Sequence, residues 1–409
     1  MSPSNPESAA LNRPLAVVSG LLVGACTGAL AALLLQLLSG MNHLLWDSPW
    51  PLMPLLIGLL IGLLHRRGTS LPELSETIAQ LHQPSGLPLA GSARHLLLGM
   101  LALLGGGPLG PEALLGRGAA VAAAALSRLW QRLPGIFAGF DGWALSGAMA
   151  FFGSPWVGVA SLLRGSRVDQ PGLLWRLLPG LTSGIGGFVA FQGLRQLVGG
   201  EQAVPYLWPQ SETALWHSFL ELLILAPLLG GLGALFGLGF VSLRSFLAGE
   251  LQRLSPAMLP RSLFTGALLC LVGVFQPLAL FSGEDQLTSL LRGQLLHGSG
   301  PLLLLGFSRI GLCALCMASG WVGGLFYPLV MAACAIAVGL VQACPWLPLQ
   351  LAVSALACGV QTGVLGTPLL PVLVTLAILK GHGPVAVLMG GFGGWLVHRC
   401  LRQKAPIHP

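Results

Sequence analysis

Residues 103–116 read LLGGGPLGPEALLG, and this stretch breaks an apolar helix with consecutive glycines and two prolines. Glycine permits tight turns, and proline is favoured in the first turn of a helix. The pattern therefore predicts one helix that ends at the glycines and another that starts at Gly110–Pro111. A second break of this kind, GWVGGLFYP, occupies residues 320–328. Matching broken helices in two parts of one chain are typical of membrane transporters.

The composition points to an all-α polytopic membrane protein. Of the 409 residues, 54% are hydrophobic and only 8% are charged, too few to cover the surface of a soluble domain. Apolar runs of about 20 residues, long enough to cross a bilayer, recur along the chain. Residues 1–14 are polar and lack the basic start of a signal peptide, so we predict a short cytoplasmic tail. Two spans, at about 15–40 and 51–65, then place Arg66 and Arg67 on the cytoplasmic side. We expect the membrane to be the cell (inner) membrane.

The remaining polar chemistry is sparse. The net charge of +7 is consistent with attraction to anionic lipid or an anionic solute, and equally with positive cytoplasmic loops alone. Cys313 and Cys316 form a C-x-x-C motif in an apolar run without a second pair, which favours packing over metal or redox chemistry. We expect no metal, no cofactor and no nucleic-acid partner.

The chain contains a weak internal repeat. Its matched pairs are 68–73 with 282–286, 106–110 with 320–324, and 153–157 with 366–370, each offset by 213 to 215 residues. This constant offset predicts two homologous halves, at 15–200 and 213–400, with a polar linker at 201–212 and a tail at 401–409. The N-terminus of a broken helix carries partial positive charge and N–H groups without helical partners. Several such ends aimed at one point near the midplane make an anion site without a cationic side chain.

These motifs resemble those of the CLC family of chloride channels and chloride/proton exchangers. GTSLPE at 68–73 resembles the family's G-S-G-I-P-E, GPLGP at 107–111 resembles G-[KR]-E-G-P, and GLFYP at 324–328 matches G-x-F-x-P. FGSP at 152–155 and GTPL at 366–369 resemble the turns before two further helices. The resemblance covers residues 15–400 and implies a CLC-like inverted repeat of two helical halves, with broken helices that meet near the midplane.

The resemblance also implies where the anion binds and how the protein assembles. The anion-binding residues expected by position are Thr69, Ser70, Leu71, Leu109, Gly110, Pro111, Leu325, Phe326 and Tyr327. Backbone N–H groups would do most of the binding, and the Thr69 hydroxyl falls on the family's filter serine. The partners implied are chloride or another small anion, membrane lipid and a second copy of the chain in a homodimer. We expect a divergent prokaryotic-type member without cytosolic nucleotide-binding domains.

The departures from the family concern proton coupling. The family's external gating glutamate falls on Leu109, its internal proton glutamate on Gly165, and the glutamate of the corresponding second-half helix on Ala377. The pore tyrosine lies on a final helix that we expect this chain to lack. Among the thirteen acids, Glu112 is the one near the expected pore. Glu112 is either a displaced gate or a first-turn acid that the helix dipole stabilises, and we favour the second interpretation.

Passive CLC-type anion transport is therefore the leading hypothesis, because an intramembrane proton relay needs acids or histidines. The alternative is an ion-coupled transporter of chloride, bicarbonate, nitrate or fluoride that uses Glu112 or Glu76. A membrane enzyme would need a nucleophile–base pair or a metal motif, and the sequence contains neither. A scaffold whose pathway is plugged by Leu109 is a further possibility that a flux assay distinguishes.

Overall fold

The computed structural model describes residues 6–46, 52–66, 89–130, 146–148, 152, 154, 156–157, 173–197 and 219–402. Within these ranges the regular structure is helical. The α-helices in chain order are α1 (Pro6–Trp46), α2 (Met53–His65), α3 (Leu89–Leu104), α4 (Glu112–Trp130), α5 (Leu173–Leu197), α6 (Phe219–Leu254), α7 (Met258–Phe275), α8 (Leu287–Leu291), α9 (Ser299–Ala318), α10 (Phe326–Ala343), α11 (Leu349–Leu365), α12 (Leu369–Ile378) and α13 (Pro384–Arg402). A 3₁₀ turn at Pro277–Ala279 follows α7.

The all-α membrane architecture predicted from composition is confirmed. In the described part of the chain, five helical segments are long and apolar enough to cross a bilayer: Val17–Asn42, Leu222–Leu254, Met258–Phe275, Ser299–Ala318 and Phe326–Ala343. The first two predicted spans correspond to α1 and α2. Helix α1, however, already begins at Pro6, inside the segment expected to be a polar tail.

The described chain forms two compact units that alternate along the sequence. Unit 1 comprises residues 1–41, 71–97 and 112–203, and unit 2 comprises residues 42–70, 98–111 and 204–409. These units do not follow the two predicted halves, whose equivalence stays a prediction. In unit 1, α1 packs against α5 with Gly28 next to the Gly187 backbone. In unit 2, the backbones of Gly230 on α6, Gly359 on α11 and Gly390 on α13 are in close contact, which only residues without a Cβ allow.

Several predicted features lie outside the described residues. They are the proposed filter segment Thr69, Ser70 and Leu71, the acid Glu76, the position Gly165, and the linker at 201–212. The described site therefore consists of the two glycine-rich breaks and the helices that flank them.

Candidate functional site

The two glycine-rich breaks are hydrogen-bonded to each other. The Gly110 N–H donates to the Gly324 carbonyl at 2.8 Å, and the Gly324 N–H donates to the Gly110 carbonyl at 2.7 Å. This pair is an isolated antiparallel bridge between two otherwise helical segments. Gly106 (φ +75°) and Gly320 (φ +88°) provide the left-handed turns that end α3 and follow α9, a conformation that glycine adopts without strain. The matched motifs of the sequence thus meet in space.

Leu109 is part of the first break and is fully buried, at 0% exposure. It packs against Gly323 so closely that a Cβ built on Gly323 would lie 2.5 Å from the Leu109 Cβ. Its own N–H donates to the Gly107 carbonyl at 2.7 Å, which fixes the turn that aims the side chain. On the other side, the indole of Trp321 lies against Gly105 and Gly107. The position that the resemblance assigns to the gating glutamate is therefore filled by a closely packed apolar side chain.

The second break leads directly into α10. Leu325 is the N-cap residue, without a side-chain cap, and Phe326 and Tyr327 are both buried. The hydrogen-bond ladder of the helix begins with the Leu329 N–H, which donates to the Leu325 carbonyl at 3.2 Å. These three predicted anion-site residues thus lie next to Gly324 and close to Leu109 in the same compact unit.

The first break offers fewer backbone donors than expected. The Gly110 N–H already donates to Gly324, and Pro111 has no N–H. Helix α4 begins at Glu112, two residues after the predicted start at Gly110. The geometry therefore changes the expected role of Gly110, whose N–H holds the two breaks together.

Glu112 is the first residue of α4 and is fully buried, at 0% exposure. An acid in the first turn benefits from the positive end of the helix dipole, as the sequence suggests. Its complete burial departs from this interpretation, because a carboxylate placed only for the dipole is usually solvated. Glu112 belongs to unit 1, whereas Leu109 belongs to unit 2.

Arg309, a residue that the sequence analysis did not single out, organises the loop before α8. It lies on α9, is fully buried, and donates to the carbonyls of Leu278, Leu280, Phe281 and Ser282 and to Gln286 Oε1, at 2.6 to 3.3 Å. The Phe281 N–H in turn donates to the Gly106 carbonyl at 3.0 Å. Arg309 therefore supports the first break from the second half of the chain. The signal in the sequence is a single arginine within the apolar run LLLLGFSRIGLCALC.

The turn at the end of α9 has two further polar supports. The imidazole Nε2 of His65, at the end of α2, is 2.8 Å from the Gly320 carbonyl. The Thr265 hydroxyl donates to Ser319 Oγ at 2.8 Å, and the Ser319 hydroxyl donates to the Cys316 carbonyl at 3.1 Å. Because Gly320 precedes Trp321 and Gly324, these contacts set the direction in which the second break leaves α9.

The predicted turn at 366–369 is confirmed by the structure. Gly366 ends α11 in the left-handed conformation (φ +74°), and α12 begins at Leu369. Ala377, where a glutamate was expected from the resemblance, is a buried residue of α12. In the corresponding first-half turn, Phe152 is buried and the Trp156 N–H donates to Ser154 Oγ at 3.3 Å.

Comparison with known proteins agrees with this architecture. Residues 65–393 match the family model described as "Voltage gated chloride channel". The chain is similar in structure to a CLC-type fluoride/proton antiporter, with a TM-score of 0.76, 18% identity, and coverage of 95% of this chain and 96% of that chain. A slow cyanobacterial Cl⁻/H⁺ antiporter gives a TM-score of 0.73 and 19% identity over 95% of both chains. A eukaryotic CLC transporter gives 0.67 and 16% identity over 94% of this chain and 72% of that chain. No curated protein matches the sequence.

Proposed function

Because the chain belongs to the voltage-gated chloride channel (CLC) family of integral membrane proteins, we propose that it moves a small anion, chloride first, passively across the membrane. The pathway passes the paired breaks, where the start of α10 presents backbone to the anion. Leu109 is the gate. It works by excluding water and ions from the pathway until it moves, as hydrophobic constrictions do in other channels.

The observation that carries this proposal is the packing of Leu109. A carboxylate in this position can imitate a bound anion and can carry a proton, whereas an isobutyl group can do neither. The side chain is fully buried against the Gly323 backbone. An anion that passes between the breaks must displace it, so opening exposes apolar surface and has a free-energy cost.

The absence of proton coupling rests on the same substitution together with Gly165. A proton that crosses a membrane protein needs fixed groups that can hold it. By resemblance, the two glutamates that would serve this purpose are replaced by Leu109 and Gly165. The proposal therefore includes loss of coupling at both ends of the proton route.

The alternative is an antiporter that couples anions to protons through Glu112 or Glu76. Two observations favour it: Glu112 is completely buried in the first turn of α4, and two of the similar structures are antiporters. Under this alternative, Glu112 replaces the missing external gate, and fluoride, nitrate or bicarbonate joins chloride as a candidate substrate.

A flux measurement decides between these two functions. Purified protein is placed in liposomes, and anion efflux and internal pH are recorded together. The passive proposal expects a chloride gradient to dissipate when valinomycin and potassium compensate the charge, without proton movement. It also expects that an imposed pH gradient moves no anion uphill. Uphill transport driven by the pH gradient would establish the antiporter, and absence of all flux would favour a scaffold.

The proposal also includes a homodimer with one pathway per subunit, in the cell membrane, with a cytoplasmic N-terminus. The support for these points is the family resemblance and the distribution of Arg66 and Arg67 after the second span. Cross-linking in native membranes tests the dimer, and the accessibility of a cysteine introduced at the N-terminus tests the orientation.

A further inference from the structure

Helix α4 contains a buried arginine that the proposed pathway does not use. Arg117 is five residues after the start of the helix and is 3% exposed. Neither its Nε nor its Nη1 donates a hydrogen bond to any residue that the structure describes. A guanidinium keeps its charge in proteins, so its donors need acceptors wherever it is buried.

A second buried polar group of unit 1 lies on α3. His95 on α3 is 2% exposed, and its Nδ1 has no hydrogen-bond partner within the described ranges. Helices α3 and α4 are in contact at this level, because a Cβ on Gly118, next to Arg117, would lie 4.0 Å from Cδ2 of Leu96, next to His95. All of these residues belong to unit 1.

Glu112 cannot neutralise Arg117 along the helix. Residues five apart are separated by about 140° around the helix axis, whereas ion pairs on one helix form between residues three or four apart. An uncompensated charge in a buried site is strongly unfavourable. Among the residues that the structure describes, α4 therefore offers no ion-pair partner to the buried Arg117.

We propose that Arg117 and His95 bind a small inorganic anion, a halide or a compact oxyanion, as a second site apart from the paired breaks. Nε and Nη1 of Arg117 and Nδ1 of His95 donate to it, and Arg94 adds positive potential. Binding here uses side-chain donors, in contrast to the backbone of the α10 start. The site does not rest on the transport mechanism, because binding is measured without any gradient.

The test uses the full chain purified in detergent, with sodium bromide as the probe and sodium gluconate at equal ionic strength as the reference. Thermal unfolding and calorimetric titration are measured for the unmodified protein, for Arg117→Met and for Arg253→Met. The last is a charge-matched control, since Arg253 is an exposed surface residue. We expect Arg117→Met to bind one bromide fewer per chain, or to bind bromide at that site with a dissociation constant about 10- to 100-fold higher. This change is the equivalent of one charge-assisted hydrogen bond.

The stability of the variant distinguishes a ligand site from a structural arginine. Without a halide, Arg117→Met removes a buried unpaired charge, so its melting temperature in gluconate should equal or exceed that of the unmodified protein. Bromide should then stabilise the unmodified protein more than the variant. A loss of melting temperature that is equal in bromide and gluconate, or unchanged bromide binding, would overturn the proposal.

Two further variants keep the test decisive if Arg117→Met does not fold. Arg117→Lys retains the charge and should retain a weaker bromide response. His95→Leu removes one donor and should weaken bromide binding while Arg117 remains. Bromide binding that is insensitive to both changes excludes this site. If bromide binding is intact but the liposomes show no anion flux, only the passive pathway is refuted.

Discussion

Truncation of Leu109 is the sharpest test of the proposed gate. In Leu109→Ala the Cβ contact with Gly323 remains, but the three carbons beyond it are removed. Leu109 has 0% exposure, and a buried Leu→Ala change costs about 2–5 kcal/mol in transfer and cavity terms. If about 2 kcal/mol of this packing is lost each time the gate opens, its removal shifts the closed–open equilibrium about 30-fold toward the open state.

The assay is the initial rate of chloride efflux from liposomes that contain equal amounts of folded protein. We expect efflux to rise by about 30-fold, or to the limit of the open pathway if that is reached first. Leu98→Ala is the matched control, because Leu98 is also fully buried in unit 2 but lies within α3, before the first break. Both variants lose stability, and only Leu109→Ala should gain flux. Unchanged flux in Leu109→Ala, or an equal gain in Leu98→Ala, would refute a gate at Leu109.

Three further variants test the packing of the gate and the buried charged groups. Gly323→Ala should raise flux, because its Cβ would lie 2.5 Å from the Leu109 Cβ in the closed packing and the overlap disfavours closure. In a Leu109→Gly background Gly323→Ala should change flux little, and flux unaltered by Gly323→Ala alone would contradict the packing. Glu112→Gln should leave the pH dependence of efflux unchanged and cost about 1–2 kcal/mol of unfolding free energy through the lost helix-dipole interaction, whereas a lost pH response would identify Glu112 as a displaced gate. Arg309→Met should destabilise the protein by about 3–5 kcal/mol, since it leaves carbonyls of the 278–282 loop without donors. Thermal unfolding measures this loss. Arg309→Lys should recover only part of the stability, because an ammonium cannot reach the same set of acceptors.

The family and the positions of the breaks could be predicted from sequence because they depend on local chemistry. Low charge and apolar runs of about 20 residues require membrane helices. Glycine and proline in 103–116 and 320–328 interrupt those helices for reasons that act within a few residues. The turn at Gly366 was predicted correctly for the same reason. The exact start of α4 was misplaced by two residues, because the Gly110 N–H and carbonyl bond to Gly324 instead of beginning a helix.

Only the tertiary structure revealed which groups these breaks use and which remain available. The sequence alone determined that two glycine-rich breaks exist and that Glu112 lies in the first turn of the next helix, and by resemblance it predicts a leucine at the position of the gating acid. It could not determine that Gly110 bonds to Gly324, or that Arg309 holds the loop beside Gly106. Each of these contacts joins residues that are distant in the chain, and their partners are chosen by packing and by the need to satisfy buried polar groups. Such choices depend on the whole fold, because in a low-dielectric interior a donor bonds to whichever acceptor the packing brings within reach.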